Sequence, residues 1–291
     1  MKKEKLTSVL LALFFAYASS AQSPTTSVPI ALTTTDIQQG ALADANKIIA
    51  VVVHPSAKEM NPTAKSLPQV KAVKGLHQHE VWNTLLKNNV NAFGKVNYTG
   101  MKAALSKIEA YLTVLKENAP QKEWTKNEKL AYWINLYNAS TVHLIASNYP
   151  TGSITKLKGG KPWDKPFVRA GEQVYSLNQI ENEIIRPRFL EPRIHAALNC
   201  AAISCPNLLN AAYTPLKLNN QLNQQCTIWV NDGSKNKITA SLVEMSPIFQ
   251  WYAADFKAGG GVVAFLNKYS TATILPKTKR SYLAYDWGLN E

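Results

Sequence analysis

Apolar positions recur at helical spacing through most of the chain. Val81, Trp82, Leu85 and Leu86 share one helical face. Met101, Ala104, Leu105, Ile108, Leu112 and Leu115 repeat the pattern more cleanly. The FGKVNY string between these runs predicts a short strand or turn. Thr125 to Glu128 reads TKNE, a capping box in which the N-cap hydroxyl and the glutamate satisfy each other's backbone amides. The run that follows, Leu130 to Tyr149, contains no charged residue. Its Leu130, Trp133, Ile134, Tyr137, Leu144 and Ile145 form one wide apolar arc. The opposite side holds Ala131, Asn135, Asn138, Ala139, Val142 and His143, where a solvated face would carry Lys or Glu. A membrane span is disfavoured because Asn135, Asn138, His143 and Asn148 are costly in hydrocarbon. The pattern therefore predicts a central helix covered on both sides, with Asn135 and Asn138 hydrogen-bonded inside.

Beyond this helix the periods shorten. PFVRAGEQVYSL predicts a hairpin turning near Ala170-Gly171. SLNQ, Ser176 to Gln179, is a second capping box; it opens a helix with Leu177, Ile180, Ile184 and Ile185 inward, expected to stop at Pro187. Thr214-Pro215 predicts another helix start, with Leu218, Leu222, Cys226 and Trp229 on one stripe and Cys226 a quiet core thiol. NDGSKN is a turn and KITASLV a strand; Ser246-Pro247 starts a helix expected to reach Asp255, and Val262 to Tyr269 forms a last short one. The expected fold class is α+β: a predominantly helical single domain, residues 76–291, with a small antiparallel sheet around a buried central helix.

The first residues belong to a different category. Lys2, Lys3 and Lys5 precede a short apolar run, and Ser19 and Ala21 are small residues placed before Gln22. This is the pattern of a secretory signal peptide over residues 1–21, with export to the periplasm or the extracellular space. The apolar run is too short for a membrane span, so no transmembrane segment is expected in the mature chain. Residues 22–75 are rich in Ser, Thr, Pro and Lys and predict a flexible N-terminal region or linker. Net charge is +13 for the chain. The lysines are scattered, without an aromatic RNA-binding motif or zinc-finger spacing, so specific nucleic-acid binding is not expected. The oligomeric state is not legible in the pattern.

Several strings resemble one family. AYWINLYNA, SLNQIENEIIR, RIHAALNCAAISCP, IFQWYAADF and the tail YDWGLN occur in the order seen in the family called domain of unknown function 547. The resemblance covers about Leu76 to the C-terminus. The family occurs in bacterial exported proteins and in plants, and the resemblance implies no particular activity. Where members often have Ile-Glu-His and then a Leu-Arg pair, this chain has Ile180-Glu181-Asn182 and Ile185-Arg186.

Candidate chemistry centres on RIHAALNCAAISCP, Arg193 to Pro206, which holds two of the three cysteines. Two functional classes stay open. In the first, an exported pocket protein carries hydrolase-like thiol or histidine chemistry, acting on a small molecule or peptide. His195 and Cys200 are the candidate catalytic residues, with Asn135, Asn138, Glu181, Arg186 and Arg193 as candidate binding residues. His195 and Cys200 are five residues apart, so they meet only if the chain turns between them or tertiary contacts bring a partner such as His143. In the second, the chain is a non-catalytic ligand-binding or protein-interaction module, and Cys200 and Cys205 form a structural disulfide. Zinc on His195, Cys200 and Cys205 would match no standard ligand spacing, so neither a metal nor a cofactor is expected. His77 and His79 are expected at the surface. Asp286 and Trp287 are expected to fold back over the core, with Tyr282 and Tyr285 packing rather than meeting a ligand.

Overall fold

The computed structural model describes residues 79–291. The signal-peptide and linker assignments, and His77 with them, lie outside the described residues. Helices α1 (Glu80–Asn89), α2 (Tyr98–Ala103) and α3 (Leu105–Glu117) lead into α4 (Lys126–Ser147). Strands β1 (Val168–Ala170) and β2 (Gln173–Tyr175) pair antiparallel, with Val168 opposite Tyr175 and Gly171 at φ +59° in the turn. A continuous helical segment follows: α5 (Leu177–Gln179), a π-helical turn (Ile180–Ile185) and α6 (Arg186–Phe189). After a 3-10 turn (Pro192–Ala196) come an irregular stretch and α7 (Leu218–Asn231). Then follow β3 (Lys237–Ile238), β4 (Leu242–Met245), α8 (Ile248–Trp251), a 3-10 turn (Ala253–Gly259), α9 (Gly261–Tyr269) and β5 (Lys279–Tyr282). The fold is α+β and predominantly helical. None of the described helices is long and apolar enough to cross a membrane.

Local rules hold well where the chain is regular. Both capping boxes form: the Thr125 hydroxyl accepts from the Glu128 amide, and the Ser176 hydroxyl accepts from the Gln179 amide. Four departures have physical causes. The KITASLV stretch is two strands, β3 and β4, turned at Ala240 and Ser241. The sheet is not purely antiparallel, because β4 pairs parallel with β5. A parallel pair requires a long crossover, and α8 and α9 supply it. Pro187 does not end its helix. In the π turn the Arg186 amide donates to the Glu181 carbonyl, five residues back, so the normal ladder is already displaced where Pro187 lacks its donor. His79 is buried, with Nδ1 2.7 Å from the Tyr111 hydroxyl.

Helix α4 is the axis. Leu130 through Val142 are buried without interruption, so the helix has no solvated face. Its asparagines serve the irregular stretch that follows Ala196. Asn135 Nδ2 donates to the Tyr213 carbonyl at 2.7 Å, and the Tyr213 amide donates back to Oδ1 at 3.0 Å. Asn138 Nδ2 donates to the Ala197 carbonyl at 2.9 Å, and its Oδ1 accepts from the Asn199 amide at 2.9 Å. A side-chain amide offers one donor group and one acceptor, so it can clip backbone as a neighbouring strand would. The core has two clusters, a larger one around α4 and a smaller one built from Trp229, Phe249, Phe256 and Phe265. Asn138→Ala would strand a buried carbonyl and a buried amide. We expect it to lower stability by about 3 kcal/mol in urea unfolding; a loss below about 0.5 kcal/mol would mean that water replaces the clip.

Candidate functional site

A cavity of about 290 Å³ opens between the two core clusters. Tyr137 from α4, Glu181 from the π turn, and His195, Leu198, Cys200 and Cys205 from the clipped stretch line it. Ile248, Trp251 and Tyr252 close one side, and Tyr285 and Trp287 of the C-terminal tail close another. The cavity thus gathers His195, Cys200 and Glu181 of the candidate residues, together with Cys205.

The loop bearing the thiols is fixed by amides. Asn199 Nδ2 donates to the Pro206 carbonyl at 2.8 Å, and its Oδ1 accepts from the Ala201 amide at 2.9 Å. Ala201 sits at φ +62°, a left-handed backbone that costs an alanine about 1 kcal/mol. The tail locks the same loop: the Ile203 amide donates to the Gly288 carbonyl at 2.7 Å, and the Asn290 amide donates to the Ala201 carbonyl at 3.2 Å.

Cys200 and Cys205 are free thiols in contact rather than a disulfide. The Cys200 amide donates to Cys205 Sγ at 2.9 Å, and Cys200 Sγ lies 3.2 Å from the Tyr285 hydroxyl. A hydrogen bond from the Cys205 thiol pulls the Cys200 pKa down against the penalty of burial, aided by the Tyr285 hydroxyl and the Ala202 amide. Burial and the same contact push the Cys205 thiol well up. The pair is therefore polarised: Cys200 is the more acidic thiol, and Cys205 is its hydrogen-bond donor. Cys226 is buried, and burial raises its thiol.

His195 is held by Asp255, whose Oδ2 is 2.8 Å from Nε2. A carboxylate only accepts, so Nε2 carries the proton and Nδ1 is left as the basic nitrogen. The imidazole packs against Tyr252 at 4.3 Å between ring centroids. Asp255 also receives both Arg186 Nε (2.6 Å) and Nη2 (2.8 Å). Burial alone would raise the Asp255 pKa, but the hydrogen bonds from His195 and Arg186 outweigh it and hold the carboxyl well below its ordinary range.

Other candidates have different work. Asn135 and Asn138 are spent on their clips and do not line the cavity. Arg186 is a strut for Asp255, with Nη1 on Asn182 Oδ1 at 2.7 Å. Arg193 pairs with Glu191 at 2.6 Å and ties to Asn219 and Asn223 of α7. His143 faces Glu109 at 3.3 Å and Ser147 Oγ at 3.4 Å, both through Nε2, so it forms no relay and lies away from Cys200. Asp255 is the aspartate of the IFQWYAADF string but was not among the expected site residues. Tyr285 and Trp287 pack against each other as expected and also wall the cavity, whereas Tyr282 is exposed rather than packed. Among the described residues no three His, Cys, Asp or Glu side chains group to hold a metal ion.

A family described as "Protein of unknown function, DUF547" matches residues 121–230. The match includes Glu181, His195, Cys200 and Cys205, whereas Asp255, Tyr285 and Trp287 lie beyond it. No curated protein and no solved structure matches the chain.

Two outcomes follow from this electrostatic arrangement. In the native protein iodoacetamide should label Cys200 well before Cys205 or Cys226, with a half-maximal rate at a pH below that of an ordinary thiol. Tyr285→Phe removes a donor and should move that midpoint upward; an unmoved midpoint would show that Tyr285 does not stabilise the thiolate. Asp255→Asn should cost about 2 kcal/mol of stability at neutral pH. Because the folded Asp255 pKa is depressed, its contribution is complete above the ordinary aspartate value and disappears as pH falls through the lower folded value. Wild type and variant should therefore converge only in strong acid, and a gap that persists there would assign the loss to something other than ionisation.

Proposed function

We propose that this chain is an exported thiol-dependent acyl hydrolase or acyltransferase, with Cys200 as nucleophile, His195 as base and Asp255 as the residue that orients His195. One observation carries the reading: a thiol with stabilising donors and a carboxylate-held imidazole line the same cavity. Thiolate, not thiol, is the attacking species, and a paired histidine is the usual means of moving its proton.

The chemistry balances without a further reactant. Nδ1 of His195 takes the Cys200 proton, and Asp255 stabilises the imidazolium through Nε2–H. The sulfur attacks the acyl carbon of an ester, thioester or amide and forms a C–S bond as the carbonyl becomes an oxyanion. As the sulfur spends its lone pair, the Tyr285 hydroxyl is released to donate to that oxyanion. Burial, reinforced by the neighbouring cysteines, raises the Tyr285 pKa, so it stays a donor. The oxyanion then collapses, and the leaving group departs with the imidazolium proton. Water, or an acceptor alcohol or amine, deprotonated by His195, cleaves the thioester and regenerates the thiol.

Export rests on the composition of residues 1–21, a leader pattern with Gln22 as the expected mature N-terminus. Acyl substrates with a chromogenic leaving group test the activity. Cys200→Ser and His195→Gln should each lower kcat/KM by about 10³-fold, while Asn135→Asp should act on stability rather than turnover. Full activity in Cys200→Ser would overturn the proposal.

A further inference from the structure

Glu181 is the one carboxylate that lines the cavity, and the thiol chemistry above leaves it without a role. It is 7% exposed. Its Oε2 accepts from the Tyr137 hydroxyl at 3.3 Å, and the Tyr252 hydroxyl bonds to it as well. Among the described residues no lysine, arginine or histidine nitrogen lies within salt-bridge distance of it. Arg186, on the same helical segment, is coupled to Glu181 electrostatically, but its hydrogen bonds go to Asp255 and Asn182 and none to Glu181. A buried carboxylate without a counter-cation is costly, and neutral hydroxyl donors recover only part of the hydration that it lost.

The walls around Glu181 are aromatic. Trp163, Trp251, Tyr285 and Trp287 line the same cavity and touch one another: Trp163–Trp287 at 5.3 Å, Trp251–Tyr285 at 4.9 Å and Tyr285–Trp287 at 4.5 Å between ring centroids. Tyr252 is a poorer wall, because His195 and the Arg186 guanidinium already pack on its ring. Ring faces carry negative electrostatic potential and attract desolvated cations. A carboxylate inside an aromatic enclosure therefore favours a cation with an apolar skin, repels an anion, and gives a neutral apolar group nothing to neutralise Glu181.

We infer that the cavity recognises an ammonium group on its substrate, quaternary or otherwise alkylated, seated between the Glu181 carboxylate and the walls of Trp163, Trp251, Tyr285 and Trp287. The inference rests on the acyl-transfer reading only for the word substrate; the binding chemistry stands without it. Occupancy also has a consequence for the thiol. The negative charge of Glu181 works against the donors that favour the Cys200 thiolate, so a bound cation removes that opposition when the acyl group arrives. Substrate charge would then assist the activation of the nucleophile.

The test compares choline with 3,3-dimethylbutan-1-ol, its uncharged carbon analogue, each titrated into the full chain and followed by tryptophan fluorescence. Wild type should bind choline about tenfold more tightly than the analogue. Glu181→Gln should erase that preference and leave binding of the analogue unchanged. Trp251→Leu, at a half-exposed position, should weaken choline more than the analogue. Cys200→Ser should retain the full preference, because the subsite does not use the thiol. Equal binding of the two probes by wild type, or an undiminished preference in both Glu181→Gln and Trp251→Leu, would overturn the inference. The acyl-transfer reading fails separately, if wild type binds choline selectively yet turns over no acyl substrate.

Discussion

The hydrogen bonds from Asn138 to the backbone at Ala197 and Asn199 are the constraint on which the candidate site depends. Most of the stretch between the 3-10 turn at Pro192–Ala196 and α7 has no regular partner for its backbone. Buried backbone groups must nevertheless be paired. The uncharged helix α4 meets that need with side-chain amides, at Asn138 for the loop bearing Cys200 and at Asn135 for its distal end. Asn199 extends the network to Ala201 and Pro206, and the tail closes it through Asn290. A rigid loop can hold Ala201 in a left-handed conformation and keep Cys200 beside both Cys205 and Tyr285.

The second constraint is the pairing of charge around Asp255. This carboxylate receives the imidazole of His195 and the guanidinium of Arg186, and thereby ties the smaller core cluster to the helical segment that carries Glu181. Arg186 supports Asp255, and Asp255 orients His195. Glu181 makes no ion pair within this network, although Arg186 is coupled to it electrostatically, and it shares the cavity with the aromatic walls. The cavity is thus lined by one carboxylate, Glu181, that makes no ion pair, while Asp255 stands behind His195 and is paired. That asymmetry is what separates a candidate nucleophile site from a sealed polar core.

Much of the regular structure was legible because it follows local rules. Thr125 and Ser176 announce their helices through capping boxes. The absence of charge from Leu130 to Tyr149 announces a helix covered on every side. Buried asparagines were legible too, but their task was not: an amide that clips backbone and one that orients a ligand look alike in sequence. The same holds for Arg186 and Arg193, whose partners Asp255 and Glu191 are set by tertiary approach in the first case and a tight turn in the second. Asp255 lies within the IFQWYAADF string, yet nothing in that string marks an aspartate near a helix end as the partner of His195. The parallel pairing of β4 with β5 and the passage of a helix through Pro187 depend on long-range contacts and a displaced ladder, which periodicity does not encode. Cys200 and Cys205 were close enough in sequence to suggest a bridge, yet two free thiols that hydrogen-bond to each other need the same proximity.

The most direct measurement is intact-protein mass spectrometry after brief exposure of the native chain to an activated acetyl ester, followed by peptide mapping. The account predicts one acetyl group, carried on Cys200, formed more slowly in His195→Gln and released with time in wild type. An unmodified Cys200, or acetyl spread over surface lysines with none on that sulfur, would contradict it.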